Sequence, residues 1–402
     1  MFYIAGITMH AEAKLKWQTF LFILIAFTLG CNEFMIVGIT SDIARTYQAS
    51  MSQVGILVTA FSIVYAVTTP IMATLTSRFN RYKVLITLMG VFLAGTILAA
   101  LAPTLSLLFV SRIISAACSG TILSLILVFG DQVAPPEKRA VTVAYTFAGF
   151  SVASVVGLPV GTAISMYTSW HICFWLIALL AVLVIFMTTR LIPRTGKQTI
   201  GSLFKQLKLL ADPRIILGVS IVAAVYGAQY SFYTYIRPLI THTMGFSPAA
   251  LNWILFVLGI MFIVGNVVSA QIADHGGLKL LPYVNGGLAV LLLFLAPAVQ
   301  SPWLGVLDLA VICIFLSSQG ATLQVFFMNV ASKDHPEAIN LASSLDAIFT
   351  NVGVALGSLS ASLAYGTISI AHMGYMGAVY GLIGAICSLV LYRIARPKNA
   401  EK

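Results

Sequence analysis

Glu33 stands inside the apolar stretch WQTFLFILIAFTLGCNEFMIVGIT, and Arg112 inside a second one, LSLLFVSRIISAACSG. A charge in hydrocarbon costs several kcal/mol or more, so ionisable groups in such stretches more often serve an ion or substrate path than plain structure. A carboxylate there can bind and release a proton. A guanidinium beside it favours the charged form, whereas burial favours the protonated one, so the two together set when the proton binds. Asp346, about eight residues into another apolar stretch, is a second carboxylate for a proton or a cationic substrate, or else a hydrogen-bonded polar residue facing a water-filled cavity. Asp308 lies a few residues from the end of its stretch and is placed to snorkel to water. In YGAQYSFYTYIRP, Tyr226, Gln229, Tyr230 and Tyr233 follow steps of three and four and line one helical stripe. Aromatic faces with hydrogen-bonding tips suit a ring-shaped, moderately polar ligand. Tyr235 reads as part of an interfacial tyrosine belt, while Gln319, Gln324 and Asn351 offer further hydrogen bonds.

The elements that must position these groups are membrane helices. Hydrophobic residues make up 59% of the 402 and charged residues 8%, against roughly 25% charged in soluble domains; mean hydropathy is +0.99. Apolar runs of roughly 20 residues, enough to cross about 30 Å of hydrocarbon, predict spans at about 17–40, 53–76, 83–102, 105–130, 138–163, 170–189, 214–240, 248–272, 278–298, 303–329, 338–365 and 370–392. The runs do not alternate over about ten residues, which excludes barrel strands. The net charge of +10 is a topology signal and not a nucleic-acid footprint. Apart from Arg45 and Arg237 opposite and Arg112 within a span, every Lys and Arg falls on one side if both termini share it. The positive-inside rule then makes both termini cytoplasmic. The first span is too long for a signal-peptide core and lacks a cleavage site.

Cys31, Cys118, Cys173, Cys313 and Cys387 sit singly in different spans, as small buried hydrophobes do. The six histidines show no metal-pair spacing. No phosphate loop, nucleophile elbow or hydrolase motif occurs, so neither metal nor cofactor is expected, and an enzyme is the weakest class.

The longest polar break, 190–214, falls near the middle and contains SLFKQLKLLADP, either an amphipathic helix on the membrane face or a solvated tether. Sliding the chain by 197 positions brings TLTSRFNRYK onto QIADHGGLK, with Ser77 on Asp274 and Arg78 on His275, and Trp17 on Arg214. The organisation expected is a tail at 1–16, a six-helix bundle at 17–189, a linker at 190–213, a second bundle at 214–392 and a tail at 393–402. Two such repeats place a small-molecule substrate near the midplane between rocking halves. A monomer with its lipid suffices.

With these features the chain resembles the major facilitator superfamily over nearly its whole length. The loop after the second span resembles the signature G-x-L-a-D-r-x-G-r-k through Ala73, Ser77, Arg78, Asn80, Arg81 and Lys83, with Ser77 in place of the aspartate and Asn80 in place of the second glycine. Arg112, Ala116 and Gly120 resemble the antiporter motif R-x-x-x-G-x-x-x-[GA]. GDQVAPPEKRA is similar to the loop in which Asp131 and Arg139 brace the gate. VVGLPVGT, with Gly157, Pro159, Gly161 and Thr162, looks like a shortened antiporter G-P-x-x-G-G motif. NEFMIVGI, YTYIRPLI and LASSLDAIFTNVGVALG are similar to a narrower group of drug:proton antiporter-1-like efflux permeases for arabinose and other sugars or purine ribonucleosides. The resemblance implies an all-α fold of twelve transmembrane helices in two pseudo-symmetric bundles, with the first and fourth helices lining a cavity.

By helix rise Glu33 and Arg112 both lie roughly 10 Å below the outer face, so they share a depth. The reading that follows has Glu33 as proton carrier tuned by Arg112, the alternative being a static pair that aligns two helices. Gly157 with Gly161, and Gly353 with Gly357, predict close helix approach, and Pro159 a bend. The functions in view are proton-coupled export of a small organic solute, proton-coupled uptake, or a receptor or scaffold on a transporter fold.

Overall fold

The computed structural model describes residues 2–135, 138–194 and 208–395, with side chains from 12 onward except at 73, 74, 77, 140 and 340. The side chains of Ala73 and Ser77 of the gate signature, and linker residues 195–207 with the first half of the SLFKQLKLLADP segment, therefore lie outside the described residues.

Among the described residues twelve helices are long and apolar enough to cross a membrane: Glu12–Tyr47, Met51–Met72, Arg81–Ala100, Leu105–Val133, Val141–Tyr167, Trp170–Leu191, Pro213–Tyr233, Pro248–Asp274, Gly277–Ala298, Pro302–Asp334, Leu341–Ala364 and Ile370–Ala395. They are numbered below as spans one to twelve. Polar residues at the breaks start them. Asn80 Oδ1 accepts from the Tyr82 and Lys83 amides to cap span three, so the asparagine that replaces a signature glycine is a helix cap. Ser169 and Asp212 cap spans six and seven, and prolines stand in the first turns of spans seven, eight and ten. The turn before span nine needs positive φ at Gly276 (+123°) and Gly277 (+38°), which explains the glycine pair there.

Two spans are interrupted. Span seven passes from its helix at Tyr233 through Ile236–Pro238 into a π-helical turn, Leu239–Thr243. Span ten, expected as one helix, breaks between Pro302–Ser317 and Gly320–Asp334. The polar run Ser317, Ser318, Gln319 lets the break hold. Ser269 Oγ of span eight accepts from the Ala321 amide at 2.9 Å, capping the second half from a neighbouring helix, and Asn285 Nδ2 of span nine donates to Gln319 Oε1 at 3.1 Å.

The chain forms two compact units, Met1–Ile39 with Val67–Ile200, and Thr40–Ala66 with Gly201–Lys402. Their boundaries differ from the bundles expected from chain order, because the Thr40–Ala66 segment belongs with the second set of spans. In the first unit span three packs on spans four and six. Spans one and five meet through glycine: Gly149 lies against the Ile23 carbonyl, Gly157 faces Cys31 and Gly161 faces Met35. In the second unit span eleven lies on span seven in the same manner, Gly353 against the Ala223 carbonyl and Gly357 against that of Gly227. In both units a span thus uses glycines to approach a neighbouring span closely, against the Met35 side chain at Gly161 and against backbone carbonyls at Gly353 and Gly357.

Candidate functional site

Arg112 is 1% exposed, and Glu33 is 8% exposed. Span four carries Arg112 on its buried face with Ser111, Ser115, Ala116 and Ser119. Its Nη1 donates to both the backbone carbonyl and the side-chain Oδ1 of Asn32, at 2.7 and 2.8 Å. The Asn32 amide reaches Thr96 Oγ1 of span three at 3.4 Å. Glu33, the next residue on span one, acts on the Arg112 guanidinium by charge. Glu33 thus lies within electrostatic reach of the buried guanidinium. The structure adds Asn32, which the sequence reading passed over although it stands in the NEFMIVGI string. Gly157 and Gly161, on the same helix as Pro159, face residues on either side of Asn32 and Glu33. A buried charge held this way loses its compensation if either partner is removed, at a cost of about 3–5 kcal/mol.

The second unit holds the other candidates. Gln229, Tyr230 and Tyr233 are buried on span seven and Tyr226 is half-buried. Tyr233 sits in an aromatic cluster, edge-to-face with Tyr230, Phe232 and Phe262 at centroid distances of 6.2, 6.2 and 6.0 Å. Asn351 is buried, its amide donating to the Ala347 carbonyl while Oδ1 has no donor. Gln319 is turned into the helix bundle toward Asn285 at the break in span ten, and Gln324 is half-buried. Asp346 is half-buried on span eleven.

Two placements correct the sequence reading. Tyr235 is no interfacial tyrosine: it is fully buried, its hydroxyl lies between the Met51 carbonyl (3.2 Å) and Ser362 Oγ (3.1 Å), and its ring leans on Tyr365. Asp308 does not snorkel to water; it is 4% exposed, on the face of span ten that packs on spans eight and nine.

Of the gating residues, Arg78 and Asp274 are exposed and Arg81 is half-buried. The brace expected from Asp131 and Arg139 does not form among the described residues. Asp131 is exposed, and Arg139 Nε instead donates to the Ala134 carbonyl at 3.4 Å. The loop after span two is tied by Asn80, whose amide donates to the Arg194 carbonyl at 3.1 Å. Further charged contacts appear that spacing had not suggested. Arg237 pairs with both oxygens of Asp42 at 2.6 and 3.2 Å, and Arg214 holds Asp212 and Asp334, each at 2.6 Å. Among the described residues no group of three His, Cys, Asp or Glu side chains could hold a metal ion.

Twelve apolar spans among the described residues, close glycine packing between them and a buried carboxylate within reach of a guanidinium define a polytopic membrane protein of the secondary-transporter class. The family model for the Major Facilitator Superfamily matches residues 22–345, and the chain belongs to that superfamily. It is a multi-pass membrane transporter of a small molecule, not an enzyme. Curated relatives include YtbD and YbcL of Bacillus subtilis (strain 168), both uncharacterized MFS-type transporters. They are 28% identical over 94% and 96% of this chain and 95% and 98% of their own lengths. Solved structures of the same fold include a bacterial homolog of the human lysosomal transporter Spinster, inward-facing and unoccupied. It has a TM-score of 0.75 at 17% identity, covering 94% of this chain and 97% of its own. A D-xylose-proton symporter matches with a TM-score of 0.73 at 16% identity over the same shares.

Proposed function

We propose that this transporter exports a small organic solute across a bacterial inner membrane in exchange for protons, by alternating access, with both termini in the cytoplasm. The observation that carries the reading is the buried Glu33 beside an Arg112 clamped on Asn32. Glu33 takes the proton; Arg112 favours its release by stabilising the carboxylate, and a solute group competes for the same charges. The glycine face around Gly157 and Gly161, with Pro159 in the same helix, flanks Glu33, so a bend there shifts the packing beside the carboxylate. Tyr226, Gln229, Tyr230, Tyr233, Gln319 and Asn351 supply aromatic and amide contacts for a sugar, a nucleoside or nucleobase, or an amphipathic drug. Asp346 is the second proton or cation contact. Arg78, Arg81, Asp131, Arg139 and Asp274 line the cytoplasmic gate. The resemblance to efflux permeases supports the outward direction.

The test is solute-triggered proton movement in energised inside-out vesicles, read with a pH-sensitive dye across sugars, nucleosides, nucleobases and amphipathic drugs. Dye recovery for one class, lost in Glu33→Gln, is the expected result. Acidification in the symport direction reverses the assigned direction, and recovery unchanged in Glu33→Gln removes the carrier role.

A further inference from the structure

Asp308 belongs to none of the groups used above. Its neighbours along span ten, Gly305, Leu309, Ile312, Cys313 and Leu316, form a buried stripe in which it is the sole carboxylate. Its Oδ2 is sealed from solvent and has no hydrogen-bond partner. One turn toward Pro302, Gly305 lies against Met244 and the Ala298–Val299 backbone, which roofs that end of the stripe.

Among the described residues no positive charge lies at this end of the stripe. Spans eight, nine and seven pack on this part of span ten. Span eight carries one titratable group, the exposed Asp274 at its far end, and span nine carries Lys279 and Tyr283, both exposed and both near its far end. Span seven contributes Tyr226, Tyr230 and Tyr233, and Arg214 at its opposite end, held by Asp212 and Asp334. On span ten itself stand the Cys313 thiol and, at the far end, Lys333 and Asp334, both exposed. In the connection after span seven His242 is exposed and Arg237 pairs with Asp42. Asn252 of span eight, by helix rise roughly 6 Å from its end where Asp308 is roughly 9 Å from its own, also has a buried oxygen without a donor. A carboxylate with one oxygen sealed in such a layer bears much of the desolvation cost of an ion with no counter-charge beside it, whereas a neutral carboxyl bears only that of a polar group and itself supplies a donor.

We propose that Asp308 is a proton-binding site of the second unit, separate from Glu33 and Arg112, and that in this conformation its carboxyl carries the proton. One proton neutralises its single charge, and water reaching the layer is what exchanges it. The inference rests on the proton-coupled reading for its role in transport, but not for the protonation itself.

The experiment is infrared difference titration of the full-length protein in phosphatidylethanolamine and phosphatidylglycerol vesicles between acid and alkaline buffer. A carbonyl-stretch band of a protonated carboxyl that persists at neutral pH is expected in the wild type, in Glu33→Gln and in Asp346→Asn, and its loss is expected in Asp308→Asn. Labelling the wild-type aspartate side-chain carboxyls with carbon-13 is expected to shift that band, a check that needs no substitution. An unshifted band, or the same band in Asp308→Asn, overturns the proposal. The band is read whether or not any solute moves. Its presence in a protein silent in the vesicle assay refutes proton-coupled export and keeps this site; proton-coupled flux without the band does the opposite.

Discussion

Asn32 gives Arg112 two acceptors at once, and those two bonds are unequal under mutation because only one belongs to a side chain. Asn32→Ala removes the Oδ1 bond and leaves the carbonyl, so the expected loss is about 1.5–3 kcal/mol, the usual worth of a hydrogen bond to a charged group. Arg112→Ala leaves the Glu33 carboxylate buried without its counter-charge, and the expected loss is larger, about 3–5 kcal/mol. Reversible unfolding of the purified protein in mixed detergent micelles orders the two. Equal losses would mean that the Asn32 side-chain bond accounts for the whole effect and that pairing with the Glu33 charge adds nothing to it. Glu33 and Arg112 were legible in the sequence because a charge in an apolar run is conspicuous at any orientation. Asn32 was not, since a single amide in a span carries no such cost and its partner lies 80 residues away. Asp308 was misread for a related reason: distance from a span end says how deep a carboxylate lies, but not whether its side chain faces lipid, water or a neighbouring helix.

At the scale of the helix, contacts that the sequence marks only as small residues separate into tight and loose ones. A methyl group on Gly149 would run into the Ile23 backbone, which cannot yield, whereas on Gly157 it would meet Cys31 no nearer than 3.6 Å. Gly149→Ala is therefore expected to destabilise by about 1–3 kcal/mol through overpacking, while Gly157→Ala stays within about 0.5 kcal/mol. Thermal aggregation of the two variants in detergent separates these outcomes. Span seven supplies a second case at its start. Asp212 caps the helix and its carboxyl is held below the usual range, first by the Arg214 side chain. A depressed folded value contributes stability above the unfolded value, about pH 4, and that contribution is lost as pH falls through the folded value. The stability advantage of wild type over Asp212→Asn, which keeps the cap, is thus expected to shrink below about pH 4 in an acid series of unfolding curves. The existence and ends of most spans were readable from apolar length, caps and prolines. The break in span ten was not, because its cap, Ser269, comes from another helix.

Across the whole molecule, apolar side chains cover the lipid side as densely as the interior. Trp253 and Trp303 are 72% and 74% exposed, and Leu179 and Val290 are each 65% exposed. Hydrophobic pattern therefore counts the spans but does not say which face packs, and small or polar residues mark the packed faces instead. The Thr40–Ala66 segment shows this. Ser52, Gly55 and Thr59 recur on one face of span two and meet Ser362 and Ser358 of span eleven, with the Thr59 and Ser358 hydroxyls 2.8 Å apart and the Ser52 hydroxyl on the Ser362 carbonyl. Tyr235 closes the row, and Arg237 fixes Asp42 with a two-point ion pair whose side chains are 11% and 14% exposed. Such a pair is worth more than a surface bridge because both charges are shielded and the fork is bidentate. If it holds the segment, Arg237→Gln frees it and Arg237→Lys, which keeps the charge but loses the fork, acts partway. Thr59→Cys, in a chain whose five natural cysteines are replaced, reports this as its rate of reaction with a membrane-impermeant maleimide. The expected order is slowest with Arg237, faster with Lys and several-fold faster with Gln. Equal rates in all three would assign the hold to the serine, threonine and tyrosine contacts alone.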